Sequence, residues 1–329
     1  MEIQRLETVT RLGLYDCDLS PDGQVVAAVY QEDDGYCLGL WSTVGCSQLQ
    51  DIPLPAAYAR PRFDPDGRQL AAVRGSERLT AWSVAEGRVI FEVGRNGGAE
   101  ITAHAFGPRG LTVAIAHGDS VSFWHVETGR WLASVPMPGR VRSLRASGDG
   151  HLLGVGLEAG GAVVVDGEGT RVVATLPAIH QPVSALSFHP HQPWLLTATA
   201  PSFTRTGSRL QRTEHGWAEL WNYATGVSLA RVPCDYQAVL LGEGRFVANL
   251  TNNSRSLWVW QVPETRLVAH IENAVPELLI DERGHEERRA TLAATPRGDL
   301  LAVAGLTRSI SAAGVLRLFA FHAEAVPQP

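Results

Sequence analysis

The chain of 329 residues contains no lysine. All 28 of its basic residues are arginine, although average usage would place about 20 lysines in a chain of this length. Two explanations stay open. A GC-rich bacterial genome favours codons for arginine, alanine and glycine, and this chain is rich in alanine and glycine. Alternatively, selection has removed reactive side-chain amines from a protein that works beside machinery that modifies lysine.

Other absences exclude whole classes of protein. No apolar run approaches 18 residues and no apolar signal stretch opens the chain, so we expect neither membrane spanning nor secretion and predict a cytoplasmic location. A net charge of −6 provides no overall attraction to nucleic acid. The cysteines form no CxxC pair and no zinc spacing, which favours four reduced and mostly buried thiols. They are Cys17, Cys37, Cys46 and Cys234.

Catalytic motifs are also missing. The chain has no GxSxG elbow, phosphate-binding loop, GxGxxG or HExxH. The histidine and two glutamates at 285–287, with Asp281, resemble a metal set only loosely. His189 and His191 fall in a short turn, where turn chemistry explains them better than metal ligation. We therefore predict no catalytic residue, no metal and no cofactor, and we do not expect an enzyme.

The chain does contain a repeat of about forty residues. Short apolar runs end at positions 41, 82, 124 and 165, which are 41, 42 and 41 residues apart. The runs that end at 82, 124 and 221 continue as WSVAEG, WHVETG and WNYATG. Such a period with strand-like content is typical of a propeller blade. The residue at this place in the seven units is Trp41, Trp82, Trp124, Val165, Trp221, Trp260 and Phe319.

Each unit predicts four short antiparallel strands joined by turns, named here inner, second, third and outer from the axis outward. In the third unit they span 101–107, 111–116, 120–126 and 130–136. The turn after the inner strand often follows the pattern of Ser20-Pro21-Asp22-Gly23. There proline presets φ, and glycine at the fourth position suits a type I turn. The second strands are continuous apolar runs, as expected for strands buried on both faces.

The sequence therefore predicts an all-β fold, a seven-bladed β-propeller with four antiparallel strands per blade. The seventh unit supplies only three good strands, because the tail at 322–329 is short and contains proline. Residues 3–9 alternate as an outer strand does, so we predict that the N-terminus joins blade seven and closes the ring. The chain is read as one domain, 1–329, with blades near 12–54, 58–93, 101–136, 141–177, 183–233, 237–272 and 291–321 plus 2–9.

These features resemble WD40-type β-propellers along essentially the whole chain. Blade five is the nearest, with the run 180–190 ahead of Trp221; there the resemblance implies a buried hydrogen-bond network through His180, Thr197 or Thr199, and Trp221. The Gly-His pair of the family is absent, and the Thr-Gly after the tryptophan is also similar to quinoprotein propellers. No aspartate follows a tryptophan, since that place holds Ser42, Ser83, His125, Asn222 and Gln261.

All the long connections fall on one face, which carries the links from second to third strand and from one blade to the next. We call it the top face. A solvated charge run explains each loop taken alone, but clustering on one face favours a binding surface. Arginines beside hydroxyls suit carboxylate or phosphate partners. The candidate partner-binding residues are Asp33, Asp34, Tyr36, Arg205, Arg209, Arg212, His215, Arg288, Arg289 and Arg308.

Two functions follow from this pattern. The first is a non-catalytic scaffold that binds a protein partner through the top face, within a multi-protein bacterial system, as a monomer or as a subunit of a hetero-complex. The second is an enzyme or small-ligand sensor that uses the central channel. Convergent Asp, Glu and His side chains in the channel would favour the second, and an apolar or arginine-rich top rim with a plain channel would favour the first.

Overall fold

The computed structural model describes residues 2–32, 35–56, 58–75, 77–94, 100–178, 181–206, 209–235, 237–251, 256–274, 290–306 and 313–322. Within these residues the chain forms strands and turns, with one short 3-10 turn at Pro108–Gly110. We number the strands in chain order. The four-stranded antiparallel sheets are arranged as a seven-bladed β-propeller, as predicted.

The first four blades follow one another along the chain in the order inner, second, third, outer. Blade one uses the second half of β1 (Glu2–Leu19), then β2 (Val25–Glu32), β3 (Gly35–Ser42) and β4 (Gln48–Leu54). Blade two is β5 (Tyr58–Phe63), β6 (Gln69–Arg74), β7 (Arg78–Ser83) and β8 (Val89–Gly94). Blade three is β9 (Ile101–Phe106), β10 (Thr112–His117), β11 (Ser120–His125) and β12 (Trp131–Pro136). Blade four is β13 (Val141–Ala146), β14 (Leu152–Leu157), β15 (Ala162–Asp166) and β16 (Val172–Leu176).

Blade five contains an additional hairpin. Its four strands are β17 (Val183–Phe188), β18 (Trp194–Thr199), β21 (Gly216–Asn222) and β22 (Val227–Cys234), and the hairpin is β19 (Ser202–Thr206) with β20 (Arg209–Glu214). Blade six is β23 (Ala238–Leu241), β24 (Phe246–Thr251), β25 (Ser256–Gln261) and β26 (Arg266–Ile271). Blade seven is β27 (Ala290–Ala294), β28 (Leu300–Leu306), β29 (Ala313–His322) and the first half of β1.

The N-terminal strand closes the ring, as predicted. The first half of β1 pairs with β29, from Glu2↔His322 to Leu12↔Ala313. The second half pairs with β2, from Leu12↔Gln31 to Leu19↔Val26. One continuous strand is therefore the outer strand of blade seven and the inner strand of blade one, which leaves β29 no free edge along this pairing.

The core lies between neighbouring blades. The second strands are buried along nearly their whole length, as their apolar sequences predicted. The predicted turns are present too: the N–H groups of Gly23 and Gly67 donate to the carbonyls of Ser20 and Asp64 at 2.9 and 3.0 Å. Both glycines have φ near +71°, a conformation that favours glycine.

The repeated tryptophan marks a bulge in five of the blades. The pairing of third and outer strand changes register immediately before Trp41, Trp82, Trp124, Trp221 and Trp260. Trp41 is 1% exposed, and Gly39 leaves the space that its indole occupies, because a Cβ there would overlap the ring. The repeat in the sequence is thus a repeat of tryptophan side chains at the ends of third strands, of which Trp41, Trp82 and Trp221 are buried and Trp124 and Trp260 are partly buried.

In the described part of the chain no helix has the length and apolar content needed to cross a membrane. The cysteines are free thiols, of which Cys17, Cys37 and Cys234 are buried and Cys46 is partly exposed. Burial, together with its hydrogen bond to Glu32, raises the pKa of the Cys37 thiol to about 11. A thiol with so high a pKa is protonated at neutral pH and is a poor nucleophile.

Candidate binding face and central channel

The inner strands of the blades surround a central channel with a volume of about 870 Å³. Its charge is concentrated on one side. The inner strands of blades five to seven, β17, β23 and β27, carry no charged residue. The inner strands of blades one to four contribute Asp16, Asp18, Arg60, Arg62, His104, Arg142 and Arg145 to the lining.

The two aspartates of β1 join blade one to blade two. Their side chains are 7% and 3% exposed and occupy alternate positions on the strand. Asp16 Oδ2 accepts a hydrogen bond from the backbone N–H of Arg60 at 2.7 Å, and Asp18 Oδ2 accepts one from the N–H of Phe63 at 3.0 Å. Burial raises the pKa of Asp16, although the positive charge of Arg62 opposes the rise.

Arg145 extends from blade four to blade one. Its guanidinium NH1 lies 3.3 Å from Asp18 Oδ1, while the Asp18 side chain is only 4% exposed. Removing one member of such a buried pair leaves the other charge uncompensated. Asp18 is thus held by one backbone N–H and one guanidinium.

His104 faces the same side of the channel from blade three. The side chain is 2% exposed, and its Nε2 lies 3.3 Å from the carbonyl oxygen of Ala71. Burial, together with the positive charges of Arg62 and Arg60, lowers the pKa of this imidazole to about 3. His104 is therefore neutral at physiological pH.

A smaller cavity of about 280 Å³ opens at the top face between blades two, three and four. It lies where β5, β9 and β13 begin, beside the links that enter blades three and four. Arg140 NH2 lies 3.2 Å from Glu100 Oε2, and Arg142 Nε lies 3.7 Å from Glu158 Oε2. Its three cationic side chains are Arg60, Arg140 and Arg142. Together with Arg62, which lines the adjoining central channel, we call them the arginine mouth.

The backbone of β5 is irregular at this mouth. The pairing of β5 with β6 shifts register between Ala59 and Arg62, and Arg60 has φ of +58°. A non-glycine residue with this φ is held by its surroundings. The N–H of Arg60 is held by Asp16, and its guanidinium donates to the carbonyl of Thr102.

A buried network fixes the base of the blade-five hairpin on the same face. The hydroxyl of Thr199 donates to Gln181 Oε1 and accepts the N–H of Trp217, both at 2.9 Å. Gln181 Nε2 donates to the carbonyl of His215 at 3.0 Å. Thr199 is fully buried and Gln181 is 4% exposed, so this network is shielded from water.

The indole of Trp221 also has the hydrogen bond that the sequence resemblance implied. Its Nε1–H donates to Thr197 Oγ1 at 3.2 Å. His180, the other implied member, lies outside the described residues.

A comparison with protein-family models matches residues 171–203 to the model described as WD domain, G-beta repeat. The matched segment runs from the outer strand of blade four through the inner and second strands of blade five. Seven four-stranded blades around a channel are the arrangement that such repeats build. The chain is thus a seven-bladed β-propeller similar to the WD40 type. No curated protein matches it.

WD40 propellers are commonly protein-interaction scaffolds and are generally non-catalytic. In this WD40-type propeller, the part of the chain that the structure describes has no group of three or more His, Cys, Asp or Glu side chains placed to hold a metal ion. His189 Nδ1 accepts the N–H groups of His191 and Gln192, both at 3.0 Å, so turn chemistry explains it as predicted.

Five of the candidate residues predicted from sequence lie within the described part of the chain, on blades one and five. Arg205, Arg209 and Arg212 lie on the blade-five hairpin, where Arg205 pairs with Leu210 and Arg212 with Phe203. His215 is exposed at the hairpin base, whereas Tyr36 is partly buried against the core between blades one and two. Asp33, Asp34, Arg288, Arg289 and Arg308 lie outside the described residues, as do Asp281 and the run 285–287.

Sequence reasoning missed the arginine mouth and Gln181. The available signal was the spacing of arginines at alternate positions in two otherwise apolar stretches, Arg60 with Arg62 and Arg140 with Arg142. Residues two apart in a strand share a face. Nothing in the local pattern of either stretch indicated that Arg60, Arg140 and Arg142 meet at one opening.

Proposed function

We propose that this WD40-type propeller is a non-catalytic, cytoplasmic scaffold that binds a protein partner through its top face, within a multi-protein bacterial system. The observation that carries the proposal is the arrangement of the top face. The arginine mouth and the blade-five hairpin both belong to it. A rigid scaffold that presents charged loops on one face is a common design for binding sites.

The hairpin is well suited to present binding residues. Its base is fixed by the buried bonds of Thr199 and Gln181, so little ordering of the base is needed when a partner binds. Arginine is among the residues that most often dominate interface energetics. We therefore assign Arg205, Arg209 and Arg212 to the partner-binding surface.

Charge reversal on the hairpin tests this assignment. We expect the triple substitution of Arg205, Arg209 and Arg212 by Glu to weaken partner binding at least tenfold, because hot-spot arginines contribute more than about 1 kcal/mol each. The free energy of unfolding should change by no more than about 0.5 kcal/mol per site, as for exposed loops. Affinity capture from the native host, with quantitative mass spectrometry, identifies the partner; titration with that purified partner gives the affinity.

The matched control reverses the charge of three arginines on the opposite face. Arg88, Arg130 and Arg266 lie at the turns between third and outer strands and are exposed. Their substitution by Glu is expected to leave partner binding intact. If the control loses partner binding and the hairpin variant retains it, the interface lies on the opposite face and the assignment to the top face is wrong.

The channel supports a second candidate, a small-ligand sensor or an enzyme. Its volume of about 870 Å³ falls in the range of ligand pockets, and Asp16, Asp18 and His104 converge on one wall. Two observations make this the weaker candidate: both aspartates already accept backbone hydrogen bonds, and His104 has a pKa near 3. A metabolite that raises the unfolding temperature of the isolated protein, and not that of an Asp18→Asn variant, would favour it.

A further inference from the structure

The arginines at the top of the channel are less fully neutralised than the acids around them. Asp16 and Asp18 are buried, and their carboxylates accept backbone N–H groups of β5. Arg62 lines the channel, and its guanidinium donates a hydrogen bond to the neighbouring carbonyl of Pro61 at 2.7 Å. A guanidinium has five N–H donors, so one carbonyl leaves most of its capacity for a ligand.

The two ion pairs of the arginine mouth are open to solvent. The side chains of Arg140 and Glu100 are 60% and 55% exposed, and those of Arg142 and Glu158 are 55% and 44% exposed. Such pairs contribute only about 0–1 kcal/mol each. A competing anion can therefore take the place of either glutamate at little cost.

The electrostatic field inside the channel also favours the binding of an anion. The charges of Arg62 and Arg60 both lower the pKa of the buried His104. The positive potential of the mouth thus reaches down the channel wall. The opposite wall, formed by β17, β23 and β27, has no charge to oppose an entering anion.

We propose that the arginine mouth binds an anionic group, a carboxylate or a phosphate, on an extended segment of the partner protein. This inference rests on the proposed scaffold function and names the chemistry of its partner. Planar guanidinium groups form paired hydrogen bonds with the two oxygens of either anion. The upper cavity of about 280 Å³ admits side chains rather than a folded domain, so the anion must project from an extended or looped chain.

Fluorescence anisotropy with short labelled peptides tests the site directly. The probes are a hexaglutamate peptide, a hexaglutamine peptide of the same length, and the glutamine peptide with one central phosphoserine; free inorganic phosphate is the competitor. We expect the acidic or the phosphorylated peptide to bind, with affinity that falls as salt rises, and the glutamine peptide to bind at least tenfold more weakly. Equal binding of all three peptides would overturn the proposal.

Substitutions assign the binding to the mouth. Arg142→Gln alone, and Arg62→Gln with Arg142→Gln, are expected to weaken binding of the anionic peptide about tenfold or more. Glu158→Gln is expected to strengthen it, because a competing carboxylate is removed. The control Arg88→Gln with Arg130→Gln changes two exposed arginines of the opposite face and should leave the affinity unchanged.

The remaining outcomes are equally informative. If Arg142→Gln binds as well as the unmodified protein while its thermal unfolding is normal, the mouth is not the site. If inorganic phosphate alone binds as tightly as the peptides, the site takes a free anion and the assignment to a partner segment is wrong. If no peptide binds but partner capture still depends on the blade-five hairpin, this inference fails and the scaffold function stands.

Discussion

Asp16 and Asp18 show how a charged residue becomes structural in this propeller. A carboxylate in a channel suggests catalysis, but both side chains accept backbone hydrogen bonds from the next blade at 2.7 and 3.0 Å. Hydrogen bonds to charged groups contribute about 1.5–3 kcal/mol each. Their positions are therefore explained by the join between blades one and two.

His104 makes the fold sensitive to acid. Its pKa is about 3 in the folded protein and near 6.5 when unfolded, because burial and the charges of Arg62 and Arg60 disfavour the imidazolium. Below pH 6.5 the unfolded chain takes up a proton that the folded chain excludes. The stability contributed by neutral His104 is complete above pH 6.5 and is lost progressively as the pH falls toward 3.

We predict that removing this imidazole reduces the pH dependence of unfolding. In the unmodified protein, His104 should contribute a slope approaching about 1.4 kcal/mol per pH unit below pH 6. Both His104→Gln and His104→Phe should flatten the curve between pH 6.5 and 4, whatever their stability at pH 7.5. Chemical denaturation across this pH range measures the slope, and an unchanged slope in both variants would show that His104 titrates normally.

At the scale of the element, β1 is the strand on which the ring depends. Its two halves pair with β29 and β2, so this one strand joins blade seven to blade one. Where the two halves meet, the backbone of Leu14 lies against Gly314 of β29. A Cβ at Gly314 would overlap the Leu14 carbonyl.

We predict that Gly314→Ala destabilises the propeller by about 1–3 kcal/mol or more, because the methyl group forces β29 away from β1 in a packed region. The matched control is Gly139→Ala, whose Cβ meets nothing within 4 Å. That substitution should be neutral or slightly stabilising. Differential scanning calorimetry compares the two, and equal unfolding temperatures would contradict the close approach at Gly314.

At the scale of the whole molecule, the absence of lysine limits which groups on the surface a modifying enzyme can use. With 28 arginines and no lysine, the N-terminal amine is the only ordinary amine that an acylating or tag-conjugating enzyme could use. Arginine keeps the positive charge, and its guanidinium stays protonated and unreactive toward such enzymes. A scaffold that holds a modifying enzyme at high effective concentration would benefit from this resistance.

Selection against lysine predicts that lysine scarcity is confined to this protein and its genomic neighbours. If instead the whole proteome is equally poor in lysine, codon bias explains the observation. A direct test introduces Arg88→Lys and Arg130→Lys, which change two exposed side chains and conserve charge. Under selection, mass spectrometry of the protein from its native host should find these lysines modified; unmodified lysines would count against the hypothesis.

The sequence predicted the architecture because its signals are local. The period between tryptophans, the apolar second strands and the Ser-Pro-Asp-Gly turn at 20–23 each depend on neighbouring residues. The alternation at 3–9 and the incomplete seventh unit were sufficient to predict closure by β1. The hydrogen bond between Trp221 and Thr197 also followed from the resemblance of blade five to its family.

The tertiary structure alone decided which side chains meet. Arg60 and Arg142 are 82 positions apart in the sequence, and they share an opening because ring closure brings the starts of β5 and β13 to the same axis. The register shift between Ala59 and Arg62 also sets which residues of β5 face the channel. Local periodicity determines strands and turns, so the sequence by itself determined the propeller. The convergence of charges depends on bulges and on closure of the whole ring, so only the folded chain located the arginine mouth.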